Sequence, residues 1–161
     1  MKRIIIIILC IIMTSFAFSD ELEMDVKNQM IYTSMLSPGL FTTLGLGIGS
    51  IAPDKRVEKV IIIHAGLAPM FLGGGIYSQT RYFKDSTRTG IFYTFDIGVD
   101  VILGAGANPG GGSAGFVTIP FPNVAGGIGY STKIGDNSYF RLSIDLGIKA
   151  VISNLKLSVT F

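Results

Sequence analysis

The sequence is poor in the residues that most enzymes and soluble binding domains rely on. It has one cysteine, one histidine and no tryptophan, and only 15% of its 161 residues are charged. The single cysteine, Cys10, lies in an apolar leader, so the remainder can form neither a disulfide nor a thiolate metal site. Excess charge of one sign is also missing. Once Lys2 and Arg3 of the leader are set aside, 11 basic residues face 11 acidic ones. A chain without a basic field offers no electrostatic footprint for nucleic acid. The sole histidine, His64, sits in the apolar stretch VIIIHAGLA, and no motif places a nucleophile or an orienting group beside it. It reads as a structural or lumen histidine. The glycine-rich GAGANPGGG after Leu103 has no Gly-Lys-Ser/Thr and no helix after it, which excludes a phosphate loop. No catalytic residue, cofactor or metal site is expected. The carboxylates show no spacing suited to calcium.

The N-terminus carries the parts of an export signal. Lys2-Arg3 is followed by an apolar run from Ile4 to Phe18, with small residues at Ala17 and Ser19. The run is shorter than the ~20 residues a helix needs to span a bilayer. Residues 1–19 therefore read as a cleaved signal peptide rather than an anchor. A lipid on Cys10 is disfavoured by bulky Leu9 before it. Residues 20–39 begin acidic and polar and are read as a periplasmic N-terminal segment ending at the Pro38-Gly39 turn.

What the chain has in abundance is period-two alternation. In Tyr139–Phe161, Phe140, Leu142, Ile144, Leu146 and Ile148 alternate with Arg141, Ser143, Asp145, Gly147 and Lys149. Leu155, Leu157, Val159 and Phe161 then alternate with Lys156, Ser158 and Thr160. Between Gly90 and Leu103, seven apolar residues from Ile91 to Leu103 share one face, opposite Asp96 and Asp100. Neighbouring side chains on a strand point to opposite faces. Such segments suit a wall with lipid on one side and a polar lumen on the other. Eight strands are expected, near 40–50, 57–68, 71–83, 90–103, 115–122, 124–134, 138–149 and 152–161. This is an all-β, antiparallel, up-and-down transmembrane β-barrel over 40–161. With both ends of the chain periplasmic, the loops at Asp54-Lys55-Arg56 and Lys84–Thr89 are expected on the outer side, and the glycine connector 104–115 on the periplasmic side.

The leader, the repeated amphipathic strands and the ending LKLSVTF resemble the small outer-membrane β-barrels of didermic bacteria. The nearest type is the eight-stranded outer membrane protein A/X class. The resemblance implies that Leu155, Leu157, Val159 and Phe161 form the C-terminal signal read by the barrel assembly machinery. It also implies outer-membrane lipid as the surroundings. A monomer is expected. The short loops, the missing tryptophan and the 21 glycines depart from that class. Lumen positions are expected for Asp96, Asp100, Lys133, Arg141, Asp145, Lys149 and Lys156, as a network of paired charges filling a narrow barrel. The functional expectation is a structural or surface-interaction barrel. The alternatives are a narrow pore, a lipid-modifying enzyme of the outer membrane, and a soluble lipid-binding barrel with its faces reversed.

Overall fold

The computed structural model describes residues 30–39, 41–68, 71–106, 115–148 and 153–161. The leader, the acidic stretch after it and Lys149 lie outside the described residues. All described elements are strands: β1 (Met30–Ser37), β2 (Thr42–Ile51), β3 (Val57–Ala68), β4 (Phe71–Phe83), β5 (Gly90–Gly106), β6 (Gly115–Lys133), β7 (Tyr139–Ile148) and β8 (Ser153–Thr160). Each pairs antiparallel with the next, and β8 pairs with β1 to close the barrel. Closure removes the free edges that an open sheet would expose.

Two expectations about the strands are corrected, and they offset each other in the count. Met30–Ser37 is a barrel strand, so the barrel begins within the stretch assigned to an N-terminal segment. Its inward residues Ile31, Thr33, Met35 and Ser37 are mixed in polarity, which hides the alternation. The segments expected at 115–122 and 124–134 are one continuous strand, β6. Pro120 and Pro122 do not break it. The described part of β7 begins its pairing with β6 only at Val124. Among the described residues, 115–123 have partners on the β5 side alone. Successive residues of a strand turn their amides to opposite neighbours, so two prolines two apart face the same side and can both be turned away from β5.

The shift by one strand reverses which loops share an end. Pairs Met30↔Ser50, Val57↔Tyr82, Phe83↔Phe92 and Lys133↔Tyr139 mark one rim. The loops 52–56 and 84–89 therefore lie at the same end as Met30 and Phe161, not opposite them. Gly106 and Gly115, which flank the glycine connector, lie at the other rim.

The outer face is apolar. Leu46, Ile63, Leu146 and Ile148 are among the most exposed side chains of the molecule. Tyr32, Tyr82, Tyr93 and Tyr130 also point outward, all within a few residues of the rim that carries the termini. The interior is divided. On the β1–β4 side Ile31, Met35, Val60, Ile62 and Tyr77 pack together. This explains why β3 alternates poorly, since it carries apolar residues on both faces. Glycines on the inner face of neighbouring strands make room for this filling. A Cβ on Gly47 would come within 2.8 Å of Val60 Cγ1, and one on Gly129 within 2.5 Å of Phe92 Cζ. The other side of the interior is charged.

Candidate functional site

The polar side of the lumen is built from inward positions on β3, β4, β5, β7 and β8. Nearest the rim that carries the termini, Glu58 faces three guanidinium groups. Arg141 Nη2 lies 2.8 Å from Glu58 Oε1, Arg88 Nη1 3.0 Å from the same oxygen, and Arg81 Nη1 3.2 Å from Oε2. Glu58 is fully buried. Arg141 also donates to Thr160 Oγ1 (2.6 Å) and Ser131 Oγ (3.2 Å), and Arg81 donates to Gln79 Oε1 (2.7 Å). The Arg88 guanidinium lies 4.5 Å over the Tyr139 ring and donates to its hydroxyl at 3.2 Å. Fixed forks of donors are what allow arginine to share one carboxylate in this way.

Deeper in the barrel, Gln79 donates to Asp96 Oδ1 at 2.9 Å and so links the first cluster to a second. There Lys156 pairs with Asp96 and, at 3.1 Å, with Asp145, while its ammonium lies 4.8 Å over the Tyr77 ring. Beyond these, Asp100 Oδ1 meets His64 Nε2 at 3.0 Å and accepts from Asn123 Nδ2 at 3.0 Å. This pair lies against Gly75, where a Cβ would come within 2.5 Å of the Asp100 oxygen. Gly75 is thus a position at which the site needs the absence of a side chain.

Of the residues expected in the lumen, Asp96, Asp100, Arg141, Asp145 and Lys156 are buried there. All but Asp100, which pairs with His64 and Asn123, are joined through these contacts. Lys133 is not part of the network. It is exposed at the rim, because β6 ends with it and its side chain lies beyond the packed interior. Lys149 lies outside the described residues. Glu58, Arg81 and Arg88, which hold the first cluster together, were not anticipated. Glu58 opens a strand with no clear parity. Arg81 lies on β4, whose outward Ser78 and Thr80 are as polar as its inward face. Arg88 belongs to a loop, where periodicity carries no information. In that loop the Thr87 hydroxyl and amide both donate to Asp85, holding its carboxyl below the ordinary range.

The geometry has a counterpart among solved structures. The barrel is similar in fold to the N-terminal β-barrel domain of Pseudomonas aeruginosa OprF. The match has a TM-score of 0.55 at 16% sequence identity and covers 82% of this chain and 95% of that domain. The resemblance to eight-stranded outer-membrane barrels therefore holds for the fold. No protein-family model matches the sequence, and no curated protein matches it. Leu155, Leu157, Val159 and Phe161 share the outward face of β8 and its end, and Phe161 stacks on Tyr32 with centroids 6.4 Å apart.

Proposed function

We propose that this chain is a monomeric outer-membrane β-barrel with a structural or surface-interaction role, its lumen closed by side chains. The observation that carries the reading is the inversion of polarity. Leu46 is 73% exposed and Ile148 72%, whereas Glu58, Asp96 and Arg141 are at most 1% exposed. In water this arrangement would expose a broad apolar surface and bury a costly set of charges. In lipid it is the expected order of a barrel wall. The outward tyrosines at the terminal rim suit the interfacial level of a bilayer, and a periplasmic position for that rim is part of the same reading. Export, insertion by the assembly machinery through the β8 face, and the monomeric state are parts of the same proposal.

The closed lumen argues for a barrel that does not conduct. The ion pairs and the apolar cluster fill the section from both sides, and an eight-stranded barrel leaves space only for its own side chains. An enzymatic role is not favoured. The His64–Asp100 pair is buried inside the wall, away from any lipid substrate, and the other ring nitrogen of His64 has no partner among the described residues. The test is conductance of the purified protein in planar bilayers, with insertion verified by its gel shift on boiling. Traces at the bilayer background are expected, and reproducible unitary steps would replace this reading with the pore.

A further inference from the structure

The barrel wall is uneven at the rim away from the termini. β5 is paired with β4 as far as Gly104, whereas β6 has no partner on its β7 side from 115 to 123 among the described residues. β8 already pairs back onto β7 at Ser153↔Leu146, so the wall steps down between β6 and β7. The step leaves an open strand edge, roughly 30 Å long at the usual rise per residue. We propose that Pro120 and Pro122 guard this edge against a second copy of the chain and so keep the barrel a monomer.

An edge of unpaired N–H and C=O groups is a template for another strand. The stretch FVTIPFPN from Phe116 to Asn123 is otherwise made largely of good strand formers. It is also open to contact, since Ile119 is 46% exposed and Phe121 only half-buried. The prolines are the residues that set it apart, and two observations fix the side they face. On β6, the carbonyl of Val124 points at β7, where it is the nearest atom to a Cβ placed on Gly147. Residues two and four positions earlier, Pro122 and Pro120, turn their backbone to the same side. On β5, the carbonyl of Val99 points at Gly75, and that of Val101 lies 3.0 Å from a Cβ placed on Gly73. Val99 and Val101 thus give their backbone groups to β4. Their partners across β6 are Pro122 and Pro120, which are left facing away from β5.

The placement costs β6 nothing on its paired side, because Ile119, Phe121 and Asn123 turn their amides to β5. On the open side Thr118 still offers an N–H, and Pro120 and Pro122 offer only carbonyls. An incoming strand would find acceptors there without the matching donors. A second copy is the partner this edge would otherwise take. Every copy carries the same edge, and two of them would meet antiparallel about a two-fold axis at residue 120. Each proline then removes a donor from both halves of the contact. The inference rests on the monomeric state proposed above and supplies its physical cause.

The experiment is sedimentation equilibrium in density-matched maltoside micelles, from micromolar to millimolar protein, on the parent and on Pro120→Thr/Pro122→Thr. Threonine restores each N–H and favours a strand. The shift on boiling in gels verifies that each protein is folded. The parent is expected to hold one copy per particle throughout, and the double variant to pass to dimer as concentration rises. Pro122→Thr alone restores one donor and should dimerise more weakly. Pro53→Thr, in the loop 52–56 at the other rim, should stay monomeric. Amide exchange locates the contact. The Thr118 amide of the double variant should exchange at least about fivefold more slowly in the dimer than in the monomer. A dimeric parent would overturn the monomeric reading and the guard with it. A monomeric parent with folded variants that stay monomeric at every concentration would overturn the guard alone. So would a dimer that leaves the Thr118 amide unprotected, since the contact would lie elsewhere. Loss of the folded band in both variants would overturn it as well, because prolines that serve only the open edge are not needed for folding.

Discussion

Glu58 carries more of the interior's charge balance than any other residue. Its two oxygens take one hydrogen bond from each of three arginines, and no second carboxylate lies in that cluster. Glu58→Gln keeps the shape and removes the charge, leaving three like charges together in a dry interior. Breaking one side of a buried ion pair costs about 3–5 kcal/mol. The same change at Asp54, exposed in a rim loop, should stay within about 0.5 kcal/mol. Urea unfolding of both variants in micelles is expected to show this contrast, and equal midpoints would mean that the cluster adds nothing to stability. Much of the lumen network was readable from sequence. Asp96, Asp100, Arg141, Asp145 and Lys156 stand on strands whose other face is plainly apolar, so parity alone places them inside. Glu58 and Arg81 were not readable, because β3 is apolar on both faces and β4 is polar on both. Glycine explains part of that loss. It leaves the inner face without a side chain and lets a neighbour's apolar residue occupy the space, so a lumen position no longer looks polar.

At the scale of the strand, the weakest seam is the one that closes the ring. The pairing of β1 with β8 spans four residue pairs, from Thr33↔Thr160 to Leu36↔Leu157. Phe161 extends it through two backbone hydrogen bonds with Tyr32, of 2.8 and 3.0 Å, and through the stacked rings. Removing Phe161 should lower stability by about 2–3 kcal/mol, the sum expected for two hydrogen bonds and an aromatic contact. Phe161→Leu keeps the backbone bonds and should cost about 1 kcal/mol. Unfolding midpoints check both, and amide exchange at Tyr32 should quicken only in the deletion. The terminal aromatic thus has a structural use in the finished barrel, apart from any part in assembly. The same scale shows why strand boundaries were harder to read than strand existence. Proline looks like a stop, yet at 120 and 122 it lies where β6 has no described partner on one side. In β1 the inward Ile31 and Met35 belong to the interior apolar cluster, which removes the contrast between faces that alternation depends on.

For the whole molecule, moving the first strand to Met30–Ser37 changes which end meets which compartment. On the proposed outer-membrane reading, with the termini periplasmic, the charged loops 52–56 and 84–89 are periplasmic too. The opposite rim carries Pro38-Gly39 and the strand ends Gly106 and Gly115. On that reading the rim with Gly106 and Gly115 faces outward, the side where longer connections are the rule. Fold class was legible because an apolar outer face and a polar lumen impose the same period on most strands. The direction of the faces was not, because alternation is identical in a soluble barrel that holds lipid inside.

That direction is the central claim, and contact with acyl chains tests it most directly. In nanodiscs with protonated lipid and a methyl-labelled protein, cross-relaxation from the chains should reach the methyl groups of Leu46, Ile63, Leu142 and Ile144. It should not reach Ile62 and Val60, which are fully buried on the inner side of the same wall. Contacts to Ile62 and Val60 with none to Leu46 or Ile63 would contradict the account and turn the barrel inside out.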